Sequence, residues 1–355
     1  MARQKLPHLI VFFLLFFSCL SCTKKQNDGS GPAELRIFTW SEYFDDAFLR
    51  SFGEQNKVKV KADYFSSNEE MLAKLQLTDA QNGYDLILPS DYMVRTLIEL
   101  KLLQPLDKAQ LPVLSEFEQE ALNPEYDPGL GFSVPMAIGT TGIAWNTKLL
   151  HKIPADLSWK MVMENPSYKG KVTLVDDAKE VLQMALSIQG KSLAKASEAD
   201  VKEAFAYLRK HKTQVKGFPA ETRPVMEGDE CGFCMAYSGD VLSVAKEKKE
   251  IQYLLPKEGA TIWTDNLAIP ANSKNSGMAY KFINALLNAE GAKSFTQRTR
   301  YRTANFKARI LLPNEVSSDK VIYPSPEERK KMHYLVQRKD LNELIDREWT
   351  KLKSE

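Results

Sequence analysis

Apolar residues follow strand-like and helix-like spacing in turn along most of this chain. Residues 35–39 form a short run of β-forming side chains, and residues 57–62 alternate strictly between lysine and apolar residues, as a half-buried strand does. Between them, residues 46–52 place apolar side chains at helical spacing, and a third apolar run lies at 84–88. This order of elements predicts a parallel sheet covered by helices.

The same alternation continues to the C-terminus. Ser67 and Glu70 have the spacing of a capping box, which predicts that a helix begins there. Further strands are predicted at 171–175, 232–237 and 261–270, and further helices at 178–186, 198–210, 279–287 and 340–353. Neither GxGxxG nor GxxxxGKS/T occurs in the sequence, so nucleotide binding by those loops is not indicated.

Length and composition favour a soluble protein with more than one lobe. The 355 residues suit two lobes of roughly 150 residues each. Hydrophobic residues make up 43% and charged residues 26%, which excludes a mainly disordered chain. Lys and Arg number 48, and Asp and Glu number 46, so the basic excess of a nucleic-acid-binding protein is absent. A preference for a charged ligand must therefore come from local placement of side chains.

The N-terminal segment has the features of an export signal. Two basic residues precede an apolar run at 9–20, which is shorter than the roughly 20 residues that span a membrane comfortably. The run ends at Cys22, and the segment resembles a bacterial lipoprotein signal, although Cys19 stands where leucine is usual. We expect a signal peptide at 1–21, lipidation of Cys22 and a polar tether at 22–32. Alternatives are an uncleaved membrane anchor and lipidation at Cys19.

Cysteine and histidine give little support for catalysis. Cys231 and Cys234 form a single CxxC without the second pair of a four-cysteine zinc site. Two buried thiols are the favoured interpretation, and a disulfide remains open because the protein carries an export signal. The four histidines are scattered, and neither HExxH nor GxSxG occurs. The usual nucleophilic and zinc chemistries therefore lack their residues.

Carboxylates and aromatic rings recur where predicted strands end, which is where open α/β sheets bind ligands. The segments concerned are 40–43, 90–92, 176–180, 237–240 and 263–266. A carboxylate holds an ammonium group with roughly 1.5–3 kcal/mol, and a ring adds about 0.5–2 kcal/mol by cation–π attraction. Rings also cover the methylenes between charges, at about 0.8 kcal/mol per buried group. The joint pattern predicts a flexible organic cation as the ligand.

Individual acids also have a structural explanation. An acid that follows a strand often caps the next helix, as Asp177 would for a helix that begins at Ala178. Asp85 lies inside a predicted strand and is interpreted as structural.

Four ordered motifs resemble the spermidine/putrescine-binding proteins of polyamine ABC transporters. They lie at 38–43, 84–92, 176–181 and 263–270, and the resemblance extends from about residue 35 to the C-terminus. It implies an α/β, two-lobed periplasmic-binding-protein fold of type II, in which each lobe is a mostly parallel sheet flanked by helices and two hinge crossovers join the lobes. It also implies an extracytoplasmic binding protein that closes on its ligand and delivers it to a membrane permease.

The resemblance implies further boundaries and partners. One lobe would hold 33–139 and 266–309, the other 140–265 and 310–355, with the first crossover near 139–142. A monomer attached to the membrane by its lipid is expected in the periplasm. No cofactor, metal, nucleic acid or enzymatic activity is expected.

The resemblance also assigns site residues. Five match the aromatic box of the family, four match its amine-binding acids and two match polar contacts at its edge. In that order they are Trp40, Tyr43, Tyr92, Trp263 and Tyr301; Glu42, Asp177, Glu180 and Asp265; Ser41 and Ser90. Tyr237 departs from the family pattern, because many members have tryptophan at this position. Asp240 matches members that favour putrescine. Leu335 aligns where some members have a glutamine, so the preferred polyamine stays open.

Two alternatives remain. The same fold could bind another small cation or a metal. Less favoured is an exported hydrolase in which Asp177 works with Glu180 or Asp265 as an acid–base pair, since paired carboxylates about 5–9 Å apart can hydrolyse glycosides.

Overall fold

The structure is a computed structural model that describes residues 33–41, 43–77, 83–151, 153–154 and 156–355. The predicted signal peptide, the whole predicted tether with Cys22, and Glu42 lie outside the described residues. The strands are β1 (Ala33–Trp40), β2 (Val58–Phe65), β3 (Leu86–Ile87), β4 (Ser133–Asn146), β5 (Val172–Thr173), β6 (Val215–Gly217), β7 (Phe233–Tyr237), β8 (Ile251–Leu254), β9 (Thr261–Ala268) and β10 (His333–Tyr334). The helices are α1 (Asp46–Asn56), α2 (Asn68–Leu77), α3 (Asp91–Glu99), α4 (Trp159–Glu164), α5 (Ala178–Ile188), α6 (Glu198–Lys210), α7 (Arg223–Glu227), α8 (Ser238–Glu247), α9 (Ser276–Leu287), α10 (Ala289–Thr299), α11 (Phe306–Leu311), α12 (Asn314–Ser317), α13 (Pro326–Arg329) and α14 (Asn342–Ser354).

Two sets of parallel strands are joined through a pair of long antiparallel strands. The main path runs β2-β1-β3-β9-β4-β7-β5-β6, with β8 beside β4 and β10 beside β9. Strand β1 is parallel to β2 and β3, and β5 is parallel to β6 and β7. We call β1–β3 and β9 with α1–α3 and α9 the first half, and β5–β7 with α5, α6 and α14 the second half. The predicted parallel strands with covering helices are confirmed.

Strand β4 connects the halves without a break. Its residues 133–141 pair with β9, and its residues 141–145 pair with β7. The segment at 139–142, where a crossover is predicted, therefore lies inside a continuous strand. Gly139 is required there because a Cβ would overlap the ring of Trp263 on β9. The bend between the halves is thus built from two paired strands.

Local signals in the sequence explain most element boundaries. Helix α6 occupies the predicted residues, because Ser197 and Asp200 form a reciprocal capping box. Helix α2 begins after Ser67, whose hydroxyl accepts the Glu70 N–H at 3.1 Å. The carboxylate of Glu70, however, accepts from the Ser66 N–H at 2.8 Å, so the predicted box is only half formed.

The structural interpretation of Asp85 agrees with its contacts. Its carboxylate accepts the backbone N–H of Arg36 at 3.0 Å and the hydroxyl of Ser273 at 2.9 Å. These bonds tie the start of β3 to β1 and to the segment before α9, away from the cluster described below.

Two main apolar cores support the strands, and one of them is shared by both halves. Phe282 on α9 receives the ring edges of Phe48 and Phe52 from α1, with centroids 5.4 and 5.0 Å away. In the second half, Phe205 on α6 is fully buried, and Trp349 on α14 packs edge-on against Phe218 at 5.0 Å. Burial of each such side chain contributes about 1.5–3 kcal/mol, so the two cores together hold the strand ends in place.

Cys231 and Cys234 form a disulfide, so the favoured interpretation as two free thiols was wrong. The turn that leads into β7 brings their Cα atoms to 6.4 Å, which lies within the range of bonded cysteines. Spacing alone did not reveal how tightly this turn folds back. Within the described residues, the structure contains no helix whose length and apolar character would let it cross a membrane.

Candidate functional site

Acids and aromatic rings from both halves meet around β9. We call this set the acid–aromatic cluster, which comprises Tyr43, Tyr92, Asp177, Glu180, Tyr237, Asp240, Trp263, Asp265 and Tyr301. The pKa of the Tyr237 hydroxyl reflects how close the acids of this cluster lie to one another. Burial, together with the charges of Asp177, Glu180, Asp240 and Asp265, raises this pKa well above the usual value. Residues from all five segments predicted from strand ends therefore converge on one place.

Asp265 lies on β9 and is held by residues of the first half. Its carboxylate accepts the hydroxyl of Ser90 at 2.5 Å and that of Tyr43. Ser90 is itself fixed by Asn68, which donates to the serine oxygen at 3.1 Å and accepts the serine N–H at 3.0 Å. Burial raises the pKa of Asp265 to about 6, and its two hydroxyl partners limit this rise. Asp265 is thus a pre-positioned carboxylate.

Glu180 is the corresponding acid of the second half, on the first turn of α5. One oxygen accepts the hydroxyl of Thr141 at 2.8 Å, and the nearby hydroxyl of Thr261 also acts to lower the pKa of Glu180. The buried Oε2 nevertheless has no hydrogen bond of normal geometry among the described residues. Burial raises the pKa of Glu180 to about 8, and the charge of Asp177 adds to the rise. A buried carboxylate oxygen without a partner is costly, so this position favours a hydrogen-bond donor from a ligand.

Asp177 serves as the N-cap of α5. Its Oδ1 accepts the N–H groups of Lys179 at 2.8 Å and of Glu180 at 3.1 Å. The helix-cap explanation for this acid is therefore confirmed. Burial raises its pKa, and Lys179 opposes that rise.

Aromatic rings form edge-to-face contacts between the acids. Trp263 lies 5.9 Å from Tyr237 and 5.0 Å from Tyr301, with interplanar angles of 85° and 66°. Tyr43 meets Tyr301 at 6.0 Å. The indole N–H of Trp263 donates to the Thr141 hydroxyl at 3.2 Å, the same hydroxyl that serves Glu180. Ring faces with fixed orientation beside acids suit a cation with apolar spacers.

Asp240 is paired within the cluster. It accepts the hydroxyl of Tyr301 at 3.1 Å and that of Thr222 at 3.2 Å. Gly239 permits this approach, because a Cβ there would lie 2.5 Å from the Tyr301 ring.

Three contributors were missed by the sequence reasoning. Asp91 is buried beside the cluster and accepts the N–H groups of Tyr92 at 2.7 Å and Thr264 at 3.1 Å. Burial raises its pKa to about 8, and the charge of Asp265 contributes. Its place between two assigned residues, Ser90 and Tyr92, was the available signal.

The other two missed contributors form an ion pair. Lys179 Nζ lies 2.7 Å from Glu69 Oε1 and 4.9 Å from the ring centroid of Tyr92. The Tyr92 hydroxyl also donates to Glu69 Oε1 at 3.4 Å. Glu69 lies 110 residues before Lys179, and sequence spacing gave no signal for this pair.

The remaining predicted residues lie at the edge of the cluster or away from it. Trp40 packs edge-on against Phe65 at 4.4 Å, and its buried indole N–H has no partner among the described residues. Ser41 is exposed. Leu335 is buried in the core that contains Trp349, so it offers no polar contact.

The donor set favours an organic cation over a metal. No group of three or more His, Cys, Asp or Glu side chains in the described residues is arranged to hold a metal ion. Buried acids with raised pKa values instead accumulate next to rings, and a ligand that carries positive charge relieves their mutual repulsion.

Comparison with known proteins places this architecture in a family. The profile described as "Bacterial extracellular solute-binding protein" matches residues 47–322. The chain is 36% identical over 301 residues to the "Spermidine/putrescine-binding periplasmic protein 1" of Haemophilus influenzae, covering 84% of this chain and 82% of that protein. It is 30% identical over 342 residues to the "Putrescine-binding periplasmic protein PotF" of Escherichia coli, covering 90% and 91%.

A solved structure of a substrate-binding protein has the same fold as this chain. The spermidine/putrescine ABC transporter substrate-binding protein PotD of Streptococcus pneumoniae superposes with a TM-score of 0.78 at 30% identity, covering 91% of this chain and 99% of that one. The predicted two-lobed binding-protein fold is confirmed.

Proposed function

We propose that this chain, which belongs to the bacterial extracellular solute-binding protein family, captures a polyamine such as putrescine or spermidine at the acid–aromatic cluster. The three relatives described above are named as binding or transport proteins for spermidine or putrescine. We assign no catalytic step to the chain.

The observation that carries the proposal is the buried Oε2 of Glu180, which has no hydrogen bond of normal geometry to any described residue and lies among further acids and rings. An alkylammonium group supplies three N–H donors and a positive charge. One such group can therefore donate a hydrogen bond to Oε2 and also neutralise the negative charge of the surrounding acids. Asp265 supplies a second acceptor, already oriented by Ser90 and Tyr43. Acceptors on two halves suit a ligand with an amine at each end.

The ligand contacts that we propose include every residue assigned from the resemblance. They are Trp40, Ser41, Glu42, Tyr43, Ser90, Tyr92, Asp177, Glu180, Tyr237, Asp240, Trp263, Asp265 and Tyr301. Closure of the two halves on the ligand would present one surface to an ABC permease. We further propose that Cys22 is lipidated, that the mature protein is a monomer, and that the lipid holds it at a membrane facing the periplasm.

Calorimetric titration tests the proposal directly. The full chain, purified in mild detergent and stripped of carried ligand by unfolding and refolding, is titrated with putrescine, cadaverine, spermidine and spermine. We expect one-to-one binding at micromolar affinity or tighter, which corresponds to about −8 kcal/mol or better. Absence of heat with all four amines at millimolar concentration, in a chain shown to be folded by circular dichroism, would refute it.

A further inference from the structure

We propose that Lys179 acts as a built-in ammonium group that fills the Tyr92 end of the acid–aromatic cluster and makes the site select diamines over longer polyamines. This inference rests on the proposed function, because it concerns which polyamine the same site accepts.

The geometry around Lys179 matches the chemistry proposed for a ligand amine. Its Nζ forms an ion pair with Glu69 at 2.7 Å and lies 4.9 Å from the centroid of the Tyr92 ring. The side chain is 13% exposed. An ammonium beside a carboxylate and near an aromatic ring is the arrangement expected for a bound polyamine. Here the protein supplies that ammonium itself.

The contacts of Lys179 also connect the two halves. It belongs to α5 of the second half, whereas Glu69 lies on α2 and Tyr92 on α3 of the first half. Its charge also acts on Asp177, whose pKa it lowers against the effect of burial. The acids at this end of the cluster therefore already have a positive counter-charge, whereas Glu180 and Asp265 have hydroxyl partners.

This charge distribution limits the number of ammonium groups that a ligand can place in the site. A diamine places its two charges at Glu180 and Asp265 and leaves the Tyr92 end to Lys179. A triamine that reaches the Tyr92 end brings a third ammonium close to the lysine. Two positive charges a few ångströms apart repel each other even here, where the Glu69 side chain is 52% exposed. Removal of the lysine charge would open Glu69 and Tyr92 to that third ammonium.

A simpler role for Lys179 makes a different prediction. If the ion pair only holds the halves together, its loss lowers the affinity for every polyamine by the same factor. If Lys179 replaces a ligand amine, its loss changes the ratio of the affinities for spermidine and putrescine. The affinity ratio therefore separates the two roles, whatever happens to absolute affinity.

The experiment is calorimetric titration of the full chain and its Lys179→Met variant with putrescine and with spermidine. Methionine keeps the unbranched side chain and removes the charge. We expect the ratio of spermidine to putrescine affinity to rise by about tenfold, the effect of relieving one close charge repulsion. Lys179→Gln provides a second neutral variant if the methionine variant does not fold, and Lys179→Arg keeps the charge and should leave the ratio unchanged.

Two further variants act as controls. Lys191→Met removes the same charge just after the other end of α5, where Lys191 pairs with Asp200 and Glu203, and should leave the ratio unchanged. Adding Glu69→Gln to Lys179→Met removes the acid that the third ammonium would use, so the gain for spermidine should disappear. An equal loss for both amines, or an unchanged ratio, in the folded neutral variants overturns the inference. Failure of the unmodified chain to bind either amine refutes the proposed function instead.

Discussion

The two halves contribute buried acids that differ in how completely the protein satisfies them. Asp265 has hydroxyl partners on both carboxylate oxygens, and its pKa rises only to about 6. Glu180 accepts the Thr141 hydroxyl and lies near that of Thr261, but its Oε2 has no hydrogen bond of normal geometry within the described part of the chain, and its pKa rises to about 8. At neutral pH, Asp265 is therefore mostly charged before a ligand arrives, whereas Glu180 is mostly protonated. The first half offers a prepared acceptor, and the second half acquires its acceptor as the cation binds.

The largest effect is expected from removal of the prepared acceptor. Asp265→Asn should weaken polyamine binding by about 2–3 kcal/mol, because an ammonium loses a charged hydrogen-bond partner. Calorimetric titration measures the change. Asp340→Asn applies the same substitution to an exposed acid that pairs with Arg338, and should not alter affinity. Equal affinities for the unmodified chain and Asp265→Asn would show that the ligand site lies elsewhere.

A somewhat smaller effect is expected from loss of the ring between the two acids. Trp263→Ala should weaken binding by about 1.5–2 kcal/mol through lost cation–π attraction and lost cover of the methylenes. Trp263→Phe retains a ring face and should lose less than the alanine variant. Affinity is measured by titration and folding by thermal unfolding. Identical affinities for the phenylalanine and alanine variants would show that the ring face does not contact the ligand.

The pH dependence of polyamine binding tests whether Glu180 is protonated at neutral pH while Asp265 is charged. Because Glu180 must lose its proton to hold an ammonium, polyamine affinity should rise by about fiftyfold as pH increases from 6 to 8. Titrations in buffers of different ionisation enthalpy should show proton release at pH 7. Glu180→Gln should bind more weakly at pH 8 and lose most of the dependence, and a pH dependence that this variant fully retains would argue against Glu180 as its source.

The ligand-free protein should show the opposite trend in stability. A folded-state pKa of about 8 means that folded Glu180 keeps a proton that the unfolded chain releases above its ordinary pKa near 4.5. The contribution of this residue to the free energy of unfolding therefore falls as pH rises from about 4.5 to 8. Urea unfolding of the unmodified chain and of Glu180→Gln at pH 5 and 8 isolates this contribution, which the variant lacks.

The smallest effect is expected from replacing Tyr237, which lies at a position where tryptophan is frequent in the family that the sequence resembles. Tyr237→Trp should strengthen binding by about 0.5 kcal/mol, because indole is the better cation–π partner. Titration with putrescine and spermidine measures the change. Weaker binding of both amines would mean that the larger ring does not fit beside Trp263, which lies 5.9 Å from Tyr237.

Local sequence signals predicted the elements and many of the assembled residues. The bounds of α6 follow from its capping box, and the structural role of Asp85 follows from its position inside a strand. The acids and rings at strand ends could be predicted to converge, because parallel strands place their C-terminal ends at one edge of a sheet. The same rule included the segment 90–92, whose carboxylate belongs to Asp91, although the resemblance did not assign this residue to the site.

Contacts between distant segments could not be predicted in this way. The ion pair of Glu69 and Lys179 depends on how α2 and α5 face each other once both halves have formed. The disulfide depends on the path of one turn, which the CxxC spacing permits but does not require. The polar contact expected of Ser41 depends on a side-chain direction that a strand-end motif does not fix, and this side chain is exposed.

The Thr141 hydroxyl has a consequence for spectroscopy. It donates to Glu180 and accepts from the indole N–H of Trp263, so one oxygen connects a titrating carboxylate to a fluorophore. A change in charge on Glu180 must alter the polarity around that indole. The intrinsic emission of Trp263 should therefore follow the protonation of its neighbour, which gives the protein an optical probe that needs no label.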